Sequence, residues 1–383
     1  MVTSEILFWT SFVFIFYAYF GYPLTLTILS FIRNHPIEKG DTVPTVSFII
    51  TAYNEGKTIA SKIENTLRLD YPKNKLEVIV ASDSSSDRTD EIVMSYQSQG
   101  VILVRSPERK GKENAQRYAI TISSGEVLVF SDVATILQPD GLINISRNFN
   151  DPTVGCVSSI DKFIDKDGKI SGEGAYVRYE MFLRNLETKV NSLVGLSGSF
   201  FAARREVCQH WATDLQSDFN TLINSVKLGF RGVLDSNSIG YYENIKDDKK
   251  EFERKVRTVL RGITVLMKSL PMLNPLQYGL FSWQLFSHKL CRWLVPFAML
   301  LLLTSNMSLI FYQSNHLRTY TFLFSIQILF YAIAITGSLN KTFSSNIFVR
   351  LPAFFVAVNI SIFIAWLKYL RGIRAVSWEP SKR

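Results

Sequence analysis

Val46-Ser-Phe-Ile-Ile-Thr51, Leu76-Glu-Val-Ile-Val-Ala81 and Val127-Leu-Val-Phe-Ser131 are short β-rich runs, each followed by a polar loop. A further strand is expected at Val101 to Val104. Helical stretches lie between the runs: about Lys57 to Leu69, from about Asp90, and from Gly111 to about Ile122. Alternation of strand and helix means βαβ units and a mostly parallel sheet. Ligands of such sheets bind beyond the C-terminal strand ends, and the polar residues cluster there. Ala52-Tyr53-Asn54-Glu55 follows the first strand, Asp83-Ser-Ser-Ser-Asp87-Arg-Thr89 the second, and Asp132-Val133-Ala134-Thr135 the fourth. Lys110 and Lys112 precede the helix that leads into the fourth strand. Carboxylates and cations therefore converge on one crevice. Neither Gly-x-Gly-x-x-Gly nor a Gly-Lys-Ser/Thr P-loop occurs, which disfavours the nucleotide folds built on them.

Outside residues 42 to about 250 the composition changes. Ile6 to Ile32 carries no charge and as a helix spans about 40 Å, enough to cross a bilayer. It lacks the basic n-region and the cleavage site of a signal peptide. Charge is also absent from Trp293 to Leu317, Thr319 to Asn340 and Leu351 to Leu367, and Thr342 to Val349 could extend the last run past Arg350. Glu5 precedes the first span while Arg33 and Lys39 follow it, so the middle of the chain is expected on the cytoplasmic side. Four spans would put the basic tail (Lys368, Arg371, Arg374, Lys382, Arg383) outside, against the charge rule; an interfacial or re-entrant segment would not. Between Phe252 and Arg292, basic and apolar residues mix as in helices lying on a membrane face. An amphipathic helix packed on the soluble domain reads the same way.

Composition narrows the class. With 47% hydrophobic and 13% aromatic residues the chain is not disordered. Three scattered cysteines and four histidines offer no disulfide scaffold and no metal-ligand spacing. The net charge of +9 suits an anionic membrane surface or a phosphate-bearing substrate. The positive residues gather near the membrane segments without a stacking platform, so no nucleic-acid partner is expected.

The order Asn54-Glu55, Asp83-x-Ser-x-Asp87-x-Thr89, Gly111-Lys112 and Ser131-Asp132 resembles glycosyltransferase family 2. The resemblance continues through Ser197-Gly-Ser-Phe-Phe-Ala-Ala-Arg204, Ser217-Asp218-Phe219 and Gly229-Phe-Arg, covering roughly residues 44 to 262. It implies an α/β nucleotide-diphosphosugar transferase (GT-A) fold with N- and C-terminal transmembrane helices. It implies a donor site formed by Thr51, Tyr53, Glu55, Asp83, Lys112, Asp132 and Arg257. Asp83 would take the uracil imide N–H and Glu55 the ribose hydroxyls. Asp83 and Asp87 are also turn-forming and capping types. Lys112 would face the diphosphate; a solvated lysine at a helix start is the other reading.

The family's Asp-x-Asp motif holds Mg2+ or Mn2+ on the pyrophosphate. Here it reads Asp132-Val133-Ala134, leaving Asp132 as the metal carboxylate. Asp218 stands where the family has its catalytic base, or as the N-cap of a helix from Phe219 to Leu228. Its partner acid is replaced by Ser217. Ser197, Gly198 and Ser199 lie in the acceptor loop, or form a flexible turn. Only Arg257 of the polymer synthases' Gln-x-x-Arg-Trp is kept in Arg254-Lys255-Val256-Arg257-Thr258.

The expected organisation is an N-terminal span (1–33), a cytosolic GT-A domain (42–250), interface helices (251–292), two or three C-terminal spans (293–370) and a basic tail (371–383). The expected activity is inverting transfer of a sugar from a UDP-sugar to a polyprenyl-linked or glycan acceptor, at the inner (cytoplasmic) membrane, in surface-polysaccharide synthesis. A catalytically degenerate scaffold subunit of a polysaccharide export complex is the alternative.

Overall fold

The computed structural model of the chain describes residues 2–164, 175–243, 248–312, 316–339 and 346–375. The end of the basic tail, with Lys382 and Arg383, lies outside the described residues. The strands are β1 (Val46–Ala52), β2 (Leu76–Ser82), β3 (Val101–Arg105), β4 (Val127–Asp132), β5 (Ile136–Leu137), β6 (Val154–Ile164), β7 (Phe200–Arg204) and β8 (Arg231–Glu243). They form an 8-stranded sheet in the order β3-β2-β1-β4-β7-β6-β8-β5. The helices, in chain order, begin with α1 (Val2–Phe16), α2 (Tyr22–Ile32), α3 (Ile59–Leu67), α4 (Thr89–Met94), α5 (Lys112–Ile122), α6 (Gly141–Arg147) and α7 (Ala175–Val190). They continue with α8 (Ser217–Lys227), α9 (Asp248–Lys268), α10 (Pro275–Tyr278), α11 (Leu280–Leu285), α12 (Arg292–Phe311), α13 (Leu317–Leu339) and α14 (Ile347–Leu370).

Packing divides the chain into two units. One collects Met1–Thr25, Asp247–Ile263 and Trp283–Arg374; the other holds Leu26–Lys246 and Thr264–Ser282.

In the sheet unit, β1 is buried at every position, as a central parallel strand covered on both faces must be. Its Val46, Phe48 and Ile50 share a core with Ile59 and Ile63 of α3 and with Leu142 and Ile145 of α6. Each such side chain contributes about 1.5–3 kcal/mol by leaving water. The register then decides where the strand ends stand. Thr51 of β1 lies opposite Ala81 of β2 and Asp132 of β4, and Ala52 opposite Ser82, so three loops leave the sheet at one level. β7 runs antiparallel to β4 with Phe200 opposite Ser131. The segment entering β7 therefore begins where β4 ends, which brings Ser197–Ser199 to Asp132.

Four helical stretches are long and apolar enough to cross a membrane: Val2–Ile32, Leu280–Phe311, Leu317–Leu339 and Ile347–Leu370, all but Leu26–Ile32 and Leu280–Ser282 belonging to the first unit. The second begins at Leu280, ahead of the charge-free run at Trp293, so Lys289 and Arg292 lie within it. The fourth continues through Arg350 back to Ile347. Phe8 packs with Leu309 and Tyr320, and Ala18 with Cys291 and Val295. Polar groups pair between helices: Trp283 Nε1 donates to Tyr17 Oη at 3.0 Å, and Trp366 Nε1 to the Trp293 carbonyl at 2.9 Å. In a bilayer core such pairing is required, because water is absent.

Gly125 enters β4 with its N–H on Ser47 Oγ at 2.8 Å, and a Cβ there would overlap the Ser47 nitrogen and the Val46 carbonyl carbon of β1. Gly125→Ala is expected to destabilise the protein by about 1–3 kcal/mol through overpacking. Thermal unfolding of the purified full chain measures it; an unchanged midpoint contradicts the close approach.

Candidate functional site

β4 ends in Asp132, and the site is built around that carboxylate. Lys112, at the first position of α5, places Nζ 2.5 Å from Asp132 Oδ1 and 2.9 Å from the Gly198 carbonyl oxygen. The Lys112 side chain is 9% exposed and that of Asp132 26%. Lys112 is therefore a buried cation joining the end of β4 to the loop before β7. The solvated-lysine reading does not hold. Gly111, just before it, has φ 100° and ψ 171°, a conformation only glycine adopts readily.

The Ser197–Ser199 loop is anchored on both sides. Asp132 N–H donates to the Ser199 carbonyl at 3.0 Å. Ser197 Oγ donates to both oxygens of Asp161 on β6, at 2.7 and 2.8 Å, and Ser199 Oγ to Asp161 Oδ1 at 2.5 Å. Burial pushes the Asp161 carboxyl up, against the opposing pull of the Ser199 and Ser197 hydroxyls and of Arg184, and the Asp132 charge adds to the rise. Between the two serines, the Gly198 α-carbon faces Asp218. A Cβ there would stand 3.0 Å from Asp218 Oδ2.

Asp218 sits in the first turn of α8, 7% exposed. Its Oδ2 accepts from Gln216 Nε2 at 3.0 Å and its Oδ1 from the Phe219 N–H at 2.8 Å. A helix N-terminus favours a carboxylate. The preceding Ser217 N–H donates to Oε1 of buried Glu113 at 3.3 Å. Glu113 follows Lys112 on α5, so one helix start reaches Asp132 and Gly198 with one residue and the beginning of α8 with the next.

The first two loops form the other wall. Asp83 is fully buried, and its Oδ1 and Oδ2 accept the Lys110 and Gly111 N–H groups at 3.1 and 2.9 Å. Burial raises its carboxyl above the usual range, while those two N–H bonds and Arg109 pull it back. Asp83 thus ties β2 to the turn that delivers Lys112. Asp87 works between loops: Oδ2 accepts the Gly56 N–H at 2.9 Å and Oδ1 the Thr89 N–H at 3.0 Å. Burial opposes its charge, but the Thr89 hydroxyl and these N–H groups hold it below the usual carboxylate range. Glu55 N–H donates to Thr89 Oγ1 at 2.8 Å, and Glu55 Oε2 accepts from Thr58 Oγ1 at 2.7 Å. The Arg109 guanidinium lies 3.9 Å from the Tyr53 ring centroid. Thr51 is fully buried, with Oγ1 unpartnered among the described residues. Arg257 lies on α9, in the unit of the membrane-type helices.

Four residues of this network escape sequence reasoning. Arg109 sits beside the noted Lys110 in a basic loop. Glu113 reads as an ordinary first-turn acid, and Asp161 precedes a lysine in a polar stretch. Lys62 reads as a solvated helix position. It is instead 3% exposed, with Nζ donating to Ser131 Oγ at 2.8 Å and to the Thr135 carbonyl at 2.6 Å. None of the four carries a sequence signal, because each owes its place to a partner distant in the chain.

Among the described residues no three His, Cys, Asp or Glu side chains converge to hold a metal ion. Asp132 is a single carboxylate, already paired with Lys112. This donor set fits a hard divalent ion that arrives on a diphosphate and draws its remaining ligands from phosphate and water. It does not fit a resident ion in an all-protein cage.

Residues 47–211 match the model of Glycosyl transferase family 2. Curated relatives include the poly-beta-1,6-N-acetyl-D-glucosamine synthase of Staphylococcus aureus (strain COL), 28% identical over 200 residues, or 50% of this chain and 47% of that protein. The synthase of the same name from Staphylococcus epidermidis (strain ATCC 35984) is 25% identical over 178 residues, covering 44% and 42%. The chain spans about half the length of the curated relatives it matches. Among solved structures, the mannosyltransferase PcManGT from Pyrobaculum calidifontis, in complex with GDP-Man and Mn2+, superposes with a TM-score of 0.70 at 21% identity. That match covers 93% of this chain and 99% of the other, and shows a shared fold. The family match is confined to residues 47–211, and the fold is GT-A.

Burial pushes the Lys62 ammonium from its ordinary 10.5 to about 7, with the Asp132 charge opposing the drop. An unfolded lysine keeps its proton to pH 10.5, so from about pH 7 up to there the unfolded chain binds the extra proton. The stability of the wild type relative to Lys62→Met is therefore lowest below about pH 7 and rises with pH through that window. Melting temperatures of both proteins from about pH 6 to about pH 9 test this; a difference flat with pH contradicts it.

Proposed function

We propose that the chain is an inverting glycosyltransferase that moves a sugar from a UDP-sugar to a polyprenyl-linked or glycan acceptor in surface-polysaccharide synthesis. The observation that carries the reading is the convergence of Lys112, Asp132 and Asp218 on the Gly198 peptide, at the C-terminal edge of the sheet. Lys112 and Asp132 face the donor diphosphate, and Thr51, Tyr53, Glu55 and Asp83 form the nucleotide side. Asp132, together with the donor phosphates, would hold Mg2+ or Mn2+, which would supply charge neutralisation at the leaving diphosphate. Lys112 adds a fixed positive charge to the same region.

Asp218 is the general base. The acceptor oxygen attacks the anomeric carbon, the bond to the diphosphate breaks, the hydroxyl proton passes to Asp218, and UDP leaves. One displacement inverts the anomeric centre. Gly198 supplies no side chain, which leaves the acceptor room against Asp218, while Ser197 and Ser199 hold the loop through Asp161.

The four apolar helices suit an enzyme of the cytoplasmic membrane with its sheet domain on the cytosolic side, where UDP-sugars are and where a lipid-borne acceptor is within reach. A hexosyl or N-acetylhexosaminyl unit is the proposed cargo, and the relatives that make poly-beta-1,6-N-acetyl-D-glucosamine support the second.

UDP release by lipid-reconstituted protein, given a panel of UDP-sugars, Mn2+ or Mg2+ and native lipid extract, tests the reading. Release with one donor is expected, with EDTA abolishing it. Asp218→Asn is expected to lower kcat by about 10²–10⁴, and Asp132→Ala by on the order of 10². A wild type that neither releases nor binds UDP sinks the proposal in favour of a scaffold. Gly198→Ala puts a methyl 3.0 Å from Asp218 Oδ2. It is expected to cut kcat at least about tenfold while leaving UDP affinity within about twofold. A loss of UDP affinity instead would place Gly198 on the donor side.

A further inference from the structure

We propose that Lys62 is a positioning residue of the donor site, a buried brace from α3 that sets where the Asp132 carboxylate stands. The inference rests on the transferase reading and deepens it.

Its ground is the path of residues 131–137. This stretch leaves β4, turns at Asp132–Thr135 and enters β5, and the second acid that could fix such a turn through a metal is replaced by Ala134. Within the stretch the Asp132 carbonyl accepts the Thr135 N–H at 3.2 Å and the Ser131 hydroxyl at 3.4 Å. Outside it, the Asp132 N–H is held by the Ser199 carbonyl and β5 pairs with β8, and α3 braces the segment from the side. Lys62 Nζ grips Ser131 Oγ just before Asp132 and the Thr135 carbonyl at the far end of the turn. One helical turn on, Asn65 pairs with Leu137 in both directions. Its Nδ2 donates to the Leu137 carbonyl and its Oδ1 accepts the Leu137 N–H, each at 2.9 Å. Residues i and i+3 share a helix face, so one face of α3 clamps this segment at three points.

A lysine is a costly choice for that task. Taking an ammonium out of water is expensive unless its protons are satisfied. Lys62 makes no ion pair among the described residues; it has two neutral oxygens, the Phe48 ring 5.4 Å away and the attraction of the Asp132 charge. A methionine would fill the same space without that cost. What it would lack is a donor with reach to both ends of the turn. Lys112 pairs with the carboxylate directly while Lys62 holds the backbone beneath it.

Equilibrium binding of UDP and of UMP, with Mn2+, to the detergent-purified full chain tests this in the wild type, Lys62→Met, Asp132→Asn and the double variant. UMP lacks the β-phosphate that the Asp132 arrangement faces. Lys62→Met is expected to weaken UDP about tenfold, as loss of outer-shell support does, and to leave UMP unchanged. In the Asp132→Asn background the same change is expected to have no further effect, because the two act through one carboxylate. Ser131→Ala, which removes one of the two acceptors, should move UDP affinity in the same direction by less, and it stands in if Lys62→Met does not fold. Equal weakening of UDP and UMP, additive losses in the double variant, or unchanged UDP affinity in both Lys62→Met and Ser131→Ala overturns the role of Lys62 alone. A wild type that binds neither nucleotide overturns the transferase reading, and this inference with it.

Discussion

Much of the site hangs on one ammonium group. Lys112 Nζ takes oxygens from the end of β4 and from the loop that precedes β7. Those two segments are far apart in sequence, and Lys112 fixes how closely they approach. The position of Lys112 is itself derived. Asp83 binds the N–H groups of Lys110 and Gly111, and Gly111 adopts a dihedral angle that other residues avoid. The order of dependence runs from a buried carboxylate on β2, through a glycine turn, to a lysine that joins Asp132 to the Gly198 peptide.

This arrangement spends stability on polar burial. Asp83, Lys62, Lys112 and Glu113 are all nearly excluded from water. Apolar replacements of similar size would often be neutral or better for folding alone. What the polar groups supply is a fixed geometry, since each binds a named partner at hydrogen-bond distance. The upward push on the Asp83 and Asp161 carboxyls and the downward push on Lys62 have a common cause. In each, burial disfavours the charged form, and local donors or charges only partly offset it.

The helical unit follows different rules. Its four apolar stretches present large side chains outward, such as Phe12, Leu301 and Phe322, as surfaces facing lipid would. Internal order comes from close approach and polar pairing. Gly337 lies against Val349 and Ala353, and Tyr17 shares its hydroxyl with Ser287 at 2.7 Å. In lipid the hydrophobic effect does not draw helices together, so small residues and hydrogen bonds do.

The strands and the apolar helices were legible in the chain because both are local periodicities. A buried parallel strand is a short apolar run and a spanning helix is a long one, and neither needs a distant partner to be recognised. The strand-end carboxylates Asp83 and Asp132 were legible for the same reason, as polar residues closing an apolar run. What the chain alone left open was the role each polar residue takes. Asp87 and Asp83 look alike in sequence, yet Asp87 ties two loops together while Asp83 holds the turn before Lys112. Lys62 and Asp161 carried no signal, because burial and partnership are properties of residues brought together from elsewhere. Local sequence determined which segments form strands and helices. Only the register of β1 with β2 and β4, and the antiparallel return of β7, decided which side chains meet, since that depends on pairing between segments far apart in the chain.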